Sequence, residues 1–119
     1  MNWKEKAEAR FSALRTPDTL VAIPVPQLDL TVYYWKAMNL EESREIYTAL
    51  KSRGENASAD LEAMATMLIV RARDKDGNKL FTKSERIWLM RHILAEDIAY
   101  IASQMETGTG GIEEAEKNS

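Results

Sequence analysis

Apolar side chains near the start of the chain fall at Trp3, Ala7, Phe11 and Leu14, intervals of four, four and three that put them on one helical face. Asn2 with Glu5 three residues later has the capping-box arrangement, and Pro17 lacks the N–H that a continuing helix needs, so the helix is expected to end near Arg15. The pattern then changes to β-branched and aromatic residues, with prolines between them, from Leu20 to Trp35. This predicts a β-hairpin over about 20–35. Pro24 and Pro26 cannot donate to a central ladder, so the first arm is expected to be an edge strand or to stop near Ile23. In the second arm Val32 and Tyr34 alternate with Thr31, Tyr33 and Trp35, which gives the strand two faces. A two-stranded sheet is marginal alone and needs a helix packed on one of those faces.

Helical periodicity returns after Asn39. A second helix is predicted from Leu40, with Glu41 and Glu42 in its first turn and an apolar stripe of Ile46, Tyr47 and Leu50. Gly54 and Asn56 predict a connection over 52–58, and a third helix, capped by Ser58 or Asp60, runs to about Arg73. Its stripe of Leu61, Met64, Leu68 and Ala72 is widened by Met67, Ile69 and Val70, as expected of the central element. Asp74-Lys-Asp-Gly-Asn-Lys-Leu-Phe81 reads as a tight loop, and Thr82-Lys-Ser-Glu85 as a capping box. From there one long final helix is predicted, on the recurrence of Ile87, Met90, Leu94, Ile98, Ile101 and Met105. From Glu106 the composition turns to glycine and glutamate with no apolar face, and a disordered tail is expected over 106–119. The predicted fold class is mostly α (α+β): four helices and a short two-stranded β-hairpin, forming one domain over 1–105 followed by the tail.

The overall composition fits that plan and narrows the chemistry. A chain of 119 residues has the size of one domain. With no cysteine it has no disulfide, thiolate metal site or thiol nucleophile. The 16 basic and 19 acidic residues leave a net charge of −3, too little for general attraction to phosphate backbones or anionic lipid. The uncharged stretches Thr19 to Gln27 and Ala63 to Val70 are well short of the ~20 apolar residues of a membrane span. Residues Met1 to Arg10 contain no apolar signal core. A cytoplasmic protein without nucleic-acid or membrane partners is expected.

The only histidine, His92, lies in the apolar arc of the last helix, with Glu96 one turn away as a possible pairing partner. A lone imidazole there reads as packing and not as a general base. Asp74-Lys-Asp-Gly77 invites comparison with a calcium loop, in which Asp74, Asp76, Asn78 and Glu85 would be the ligands. Glu85 does fall at the twelfth position, but the glycine stands at the fourth where the loop requires the sixth. Gly108-Thr-Gly-Gly111 lacks the strand, helix and lysine of a phosphate-binding loop, and no serine has a nucleophile-elbow context. The positive charge of Arg71, Arg73, Lys75, Lys79, Lys83 and Arg86 is largely offset by Asp74, Asp76 and Glu85. No catalytic residue, metal ligand or cofactor is therefore assigned, and no enzymatic activity is expected.

The helix, Asp-x-Asp-Gly loop and Leu-Phe-Thr cap of Leu68-Ile-Val-Arg-Ala-Arg-Asp-Lys-Asp-Gly-Asn-Lys-Leu-Phe-Thr82 resemble the tail assembly chaperones of long-tailed, lambda-like bacteriophages. The short extended pair around Ala22-Ile-Pro and Val32-Tyr-Tyr belongs to the same likeness, which covers Ala22 to Tyr34 and Asp60 to Met105. The resemblance implies a non-enzymatic protein that holds the tape measure protein in solution and helps recruit tail tube subunits. Such a protein is absent from the mature virion, and its family is often made in a second, longer form by translational frameshifting. A homo-oligomer is expected.

Six methionines and three tryptophans provide adaptable, amphipathic contact material. On chemistry alone the partner-contact candidates are Met64, Met67, Trp88 and Tyr34. Three other readings are a small helical nucleic-acid-binding regulator, using the turn from Asp74 to Thr82, a divalent-ion-responsive module using Asp74, Asp76, Asn78 and Glu85, and a structural tail component.

Overall fold

A computed structural model describes residues 2–51 and 57–108. Five helices and one antiparallel hairpin follow the order α1 (Trp3–Leu14), β1 (Val21–Val25), β2 (Leu30–Tyr34), α2 (Leu40–Lys51), α3 (Ala57–Arg71), α4 (Arg86–His92) and α5 (Ala95–Gly108). Of the connection predicted over 52–58, residues 52–56 lie outside the described residues, as does the tail from Thr109, while Ala57 and Ser58 already belong to α3. Glu106, Thr107 and Gly108, expected in the tail, continue α5.

Three of the helix caps lie where the sequence places them. Asn2 accepts from the Glu5 N–H at 2.9 Å and opens α1. Asn39 and Glu42 exchange hydrogen bonds at 2.9 and 3.0 Å and open α2. Thr82 and Glu85 form the third box, which leads through a single 3-10 turn into α4. The third helix begins at Ala57, ahead of Ser58 and Asp60, so these are helical positions and not its caps.

In the hairpin Val21 pairs with Tyr34 and Val25 with Leu30, around a turn in which Asp29 takes the left-handed conformation. The first strand continues through Pro24, because each strand of a two-stranded sheet has one edge on which a missing N–H breaks no ladder. Ile23, Val25, Val32 and Tyr34 supply the buried face. It joins a core made by Leu68, Ile69, Ala72, Ile98, Ile101 and Met105, with α3 as the central element between α2 and α5.

Two expectations fail in the helices. Tyr47, placed in the apolar stripe of α2, is exposed, while Ile46 is buried and Leu50 partly buried. The predicted final helix is two: Ile93 leaves helical geometry with φ −88° and ψ 131°. Leu89 and Ile98 are both buried, yet nine residues along one helix would set them about half a turn out of phase. The break lets both face the core. It leaves Ile87, Met90 and Leu94 from the predicted stripe at the surface.

Candidate interaction surface

Trp35, at the end of β2, joins five parts of the chain. Its indole N–H donates to the Thr16 carbonyl at 2.8 Å, and its own carbonyl accepts from Arg71 at 2.6 Å. The guanidinium groups of Arg15 and Arg73 lie 4.5 and 5.1 Å from its ring, while that of Arg71 lies 5.0 Å from the Tyr34 ring. Arg15 forms a two-pronged pair with Glu42, at 2.9 and 3.2 Å, and Arg73 adds a longer contact at 3.5 Å. The loop after α3 closes the cluster. Gly77 has φ +90°, and a Cβ built on it would stand 2.7 Å from the Trp35 ring.

Burial pushes the Glu42 carboxyl up, but hydrogen bonds from Arg15 and the Asn39 N–H, with the charges of Arg15 and Arg73, outweigh burial and hold it below its ordinary range. Since folding lowers this carboxyl's pKa, its contribution to stability is complete above the unfolded value of about 4.3 and fades as pH falls through the lower folded value. Glu42→Gln is expected to cost about 1–2 kcal/mol at pH 7 and to flatten the acid limb of a stability-against-pH curve. Parallel curves for the two proteins below pH 5 would contradict the pairing.

Four of the six cations read around the loop have partners in the fold, and Lys75 and Lys79 are exposed. Arg71 is buried; Lys83 pairs with Glu45 at 2.9 Å; Arg86 donates to Thr66 Oγ1 at 2.8 Å and to the Glu62 carbonyl at 3.1 Å. Lys83 and Arg86 border an open groove of about 480 Å3 whose apolar floor includes Ile69 and Val70. Asp74 Oδ1 accepts the Asp76 and Asn78 N–H groups at 2.9 and 3.0 Å, an Asx turn inside its own loop. Among the described residues no group of three or more His, Asp or Glu side chains is placed to hold a metal ion. No helix among them is long and apolar enough to cross a membrane.

Of the four partner-contact candidates, Tyr34 and Met67 are buried in the core and Met64 packs against it. They belong to the core and not to a contact surface: Met64 and Met67 because α3 is covered by α2 on one side and α5 on the other, Tyr34 because it lies on the buried face of the hairpin. Trp88 is half exposed and stacks on His92 with ring centroids 5.0 Å apart. His92 Nδ1 lies 2.9 Å from the Trp88 carbonyl, to which it donates, so the histidine is held by the preceding turn and not by Glu96.

Around Trp88 the surface is apolar beyond what either helix end requires. Ile87 is 66 % exposed, Leu94 59 % and Met90 47 %, and Leu28 and Leu30 of the hairpin turn are also exposed. Between that turn and the start of α5 lies a second groove of about 370 Å3, bordered by Leu28, Leu94, Tyr100, Glu96 and Asp97. The predicted stripe of the last helix carried the signal for this surface, but its continuity hid which members would be exposed. No family model matches the chain, and neither a curated protein nor a solved structure is significantly similar to it.

Proposed function

We propose that this chain is a tail assembly chaperone of a long-tailed bacteriophage, a non-enzymatic protein that binds the tape measure protein, keeps it soluble in the host cytoplasm and helps recruit tail tube subunits. The observation that carries the reading is the exposed apolar run Ile87, Trp88 and Met90 on α4. Patches of this kind mark contact surfaces, and a tryptophan flanked by methionine and isoleucine suits the apolar stripe of a long helical client. The resemblance in the segment Leu68 to Thr82 supports the same reading from the sequence side. In this mechanism the client's apolar face lies along α4 until a tube subunit competes for it, and the chaperone leaves before the tail is complete. The chaperone acts as a homo-oligomer.

Ile87→Lys combined with Trp88→Lys tests the contact. Both side chains are exposed, so the fold should survive. Loss of a central aromatic anchor is expected to weaken client binding at least ~30-fold, equivalent to about 2 kcal/mol. Undiminished co-purification of the tape measure protein with the folded variant would refute this surface as the client site.

A further inference from the structure

Among the described residues none buries the apolar face of the first helix. None of the twelve residues of α1 is buried, although Trp3, Phe11 and Leu14 share one stripe and Trp3 is 73 % exposed. A helix of this length is marginal in water unless its apolar face packs on something. At its base it is held firmly: Arg15 donates to the Ala37 carbonyl at 3.1 Å and pairs with Glu42, and Thr19 Oγ1 donates to the Leu14 carbonyl at 2.8 Å. The helix is therefore a fixed projection, consistent with a molecule 47 Å long and about 30 Å across.

The groove between Leu28 and Leu94 has the chemistry that α1 lacks. Its apolar walls carry Glu96 and the buried Asp97, whose carboxylate accepts from Gln27 at 3.0 Å. The stripe of α1 is flanked by Lys4, Lys6 and Arg10, while Glu5 lies on the opposite face and Glu8 beyond Lys4, leaving the helix a net charge of +1. Apolar surface would thus meet apolar surface, and cations would meet acids.

No residue of α1 borders the groove of its own molecule. The base of α1 leads directly into Val21, which pairs with Tyr34 at one end of the hairpin, whereas the groove begins at Gln27 and Leu28 beyond the other end. Five strand residues, about 17 Å, separate the two ends. Folding α1 back onto the groove would require releasing the Arg15 pair with Glu42.

We infer that α1 is an exchange arm that docks its Trp3–Phe11 face into the Leu28–Leu94 groove of a second copy of this chain. One arm in one groove covers less than the roughly 1,200 Å2 of a stable interface, so the exchange is reciprocal, with two arms and two grooves in a two-fold dimer. The inference rests on the self-association in the proposed function and is independent of the client's identity.

Light scattering on the purified chain tests it. The expected mass is twice the 13.5 kDa of the single chain. Trp3→Ser with Phe11→Ser, which removes nothing buried, and separately Leu94→Lys, are each expected to return the single-chain mass with unchanged far-UV circular dichroism of the body. The absence of cysteine permits a positional test. Phe11→Cys and Leu94→Cys chains, mixed and oxidised, should cross-link to each other in excess over either homodimer. A wild-type monomer would overturn the proposal, and so would a dominant homodimer of the Phe11→Cys chain, which would mean that arms pair with arms. Failure of client binding leaves the dimer unchanged, so the two readings fail separately.

Discussion

Gly77→Ala is expected to lower stability by about 3 kcal/mol, combining the cost of a side chain in the left-handed region with overpacking against a rigid ring. Gly77 sits at φ +90° and its absent Cβ would lie 2.7 Å from Trp35 Cη2 and 3.0 Å from Cζ2. The ring has little freedom to give way. Its indole N–H is tied to Thr16, and the guanidinium groups of Arg15 and Arg73 lie against it. Displacing it would loosen the base of α1, the start of α2 and the end of α3 together. A fall in Tm of roughly 10 °C or more should follow. In a Trp35→Ala background the same substitution should lose its steric part and cost only about 1 kcal/mol, the conformational part. Equal costs in both backgrounds would mean that Trp35 does not constrain the loop.

Leu89→Ala should be comparably severe for a different reason. Leu89 is fully buried and is the single buried side chain of α4, so truncation removes the helix's apolar anchor and leaves a cavity against the core. Truncations of this kind cost about 3 kcal/mol, within a range of roughly 2–5. Without Leu89 the helix is held by the polar contacts of Arg86 to Thr66 and the Glu62 carbonyl. Amide exchange should therefore accelerate in 86–92 more than in α3 or α5. Met90→Ala provides the contrast, because Met90 is 47 % exposed and its removal should stay within about 0.5 kcal/mol. Similar losses at both positions would contradict the division of this region into a docked and an exposed face.

That division separates what local sequence signals encode from what they leave open. Caps are local, and Asn2, Asn39 and Thr82 act as read, because a capping box is decided within four residues. Strand alternation is also local, and it placed Val32 and Tyr34 on one face. The continuous periodicity from Ile87 to Met105 was misleading, since an apolar stripe does not state whether one partner covers all of it. A break was nonetheless written in charge: Arg91 and His92 suit a helix end, and Glu96 and Asp97 suit a new start. The same ambiguity made Met64 and Met67 contact candidates although they stand in the stripe of the central helix, where the core needed them. The Trp35 cluster had no sequence signal, because Arg15, Glu42, Arg71 and Gly77 reach it from separate elements and no spacing rule links them. The candidate surface at Trp88 was legible in composition, and its extent emerged only when the helix broke at Ile93.

Light scattering on the chain co-expressed with its tape measure protein tests the central claim most directly. The account predicts a soluble joint complex that contains both proteins, and its loss when Ile87 and Trp88 become lysine. A tape measure protein that stays insoluble, with this chain eluting free of it, would contradict the chaperone reading.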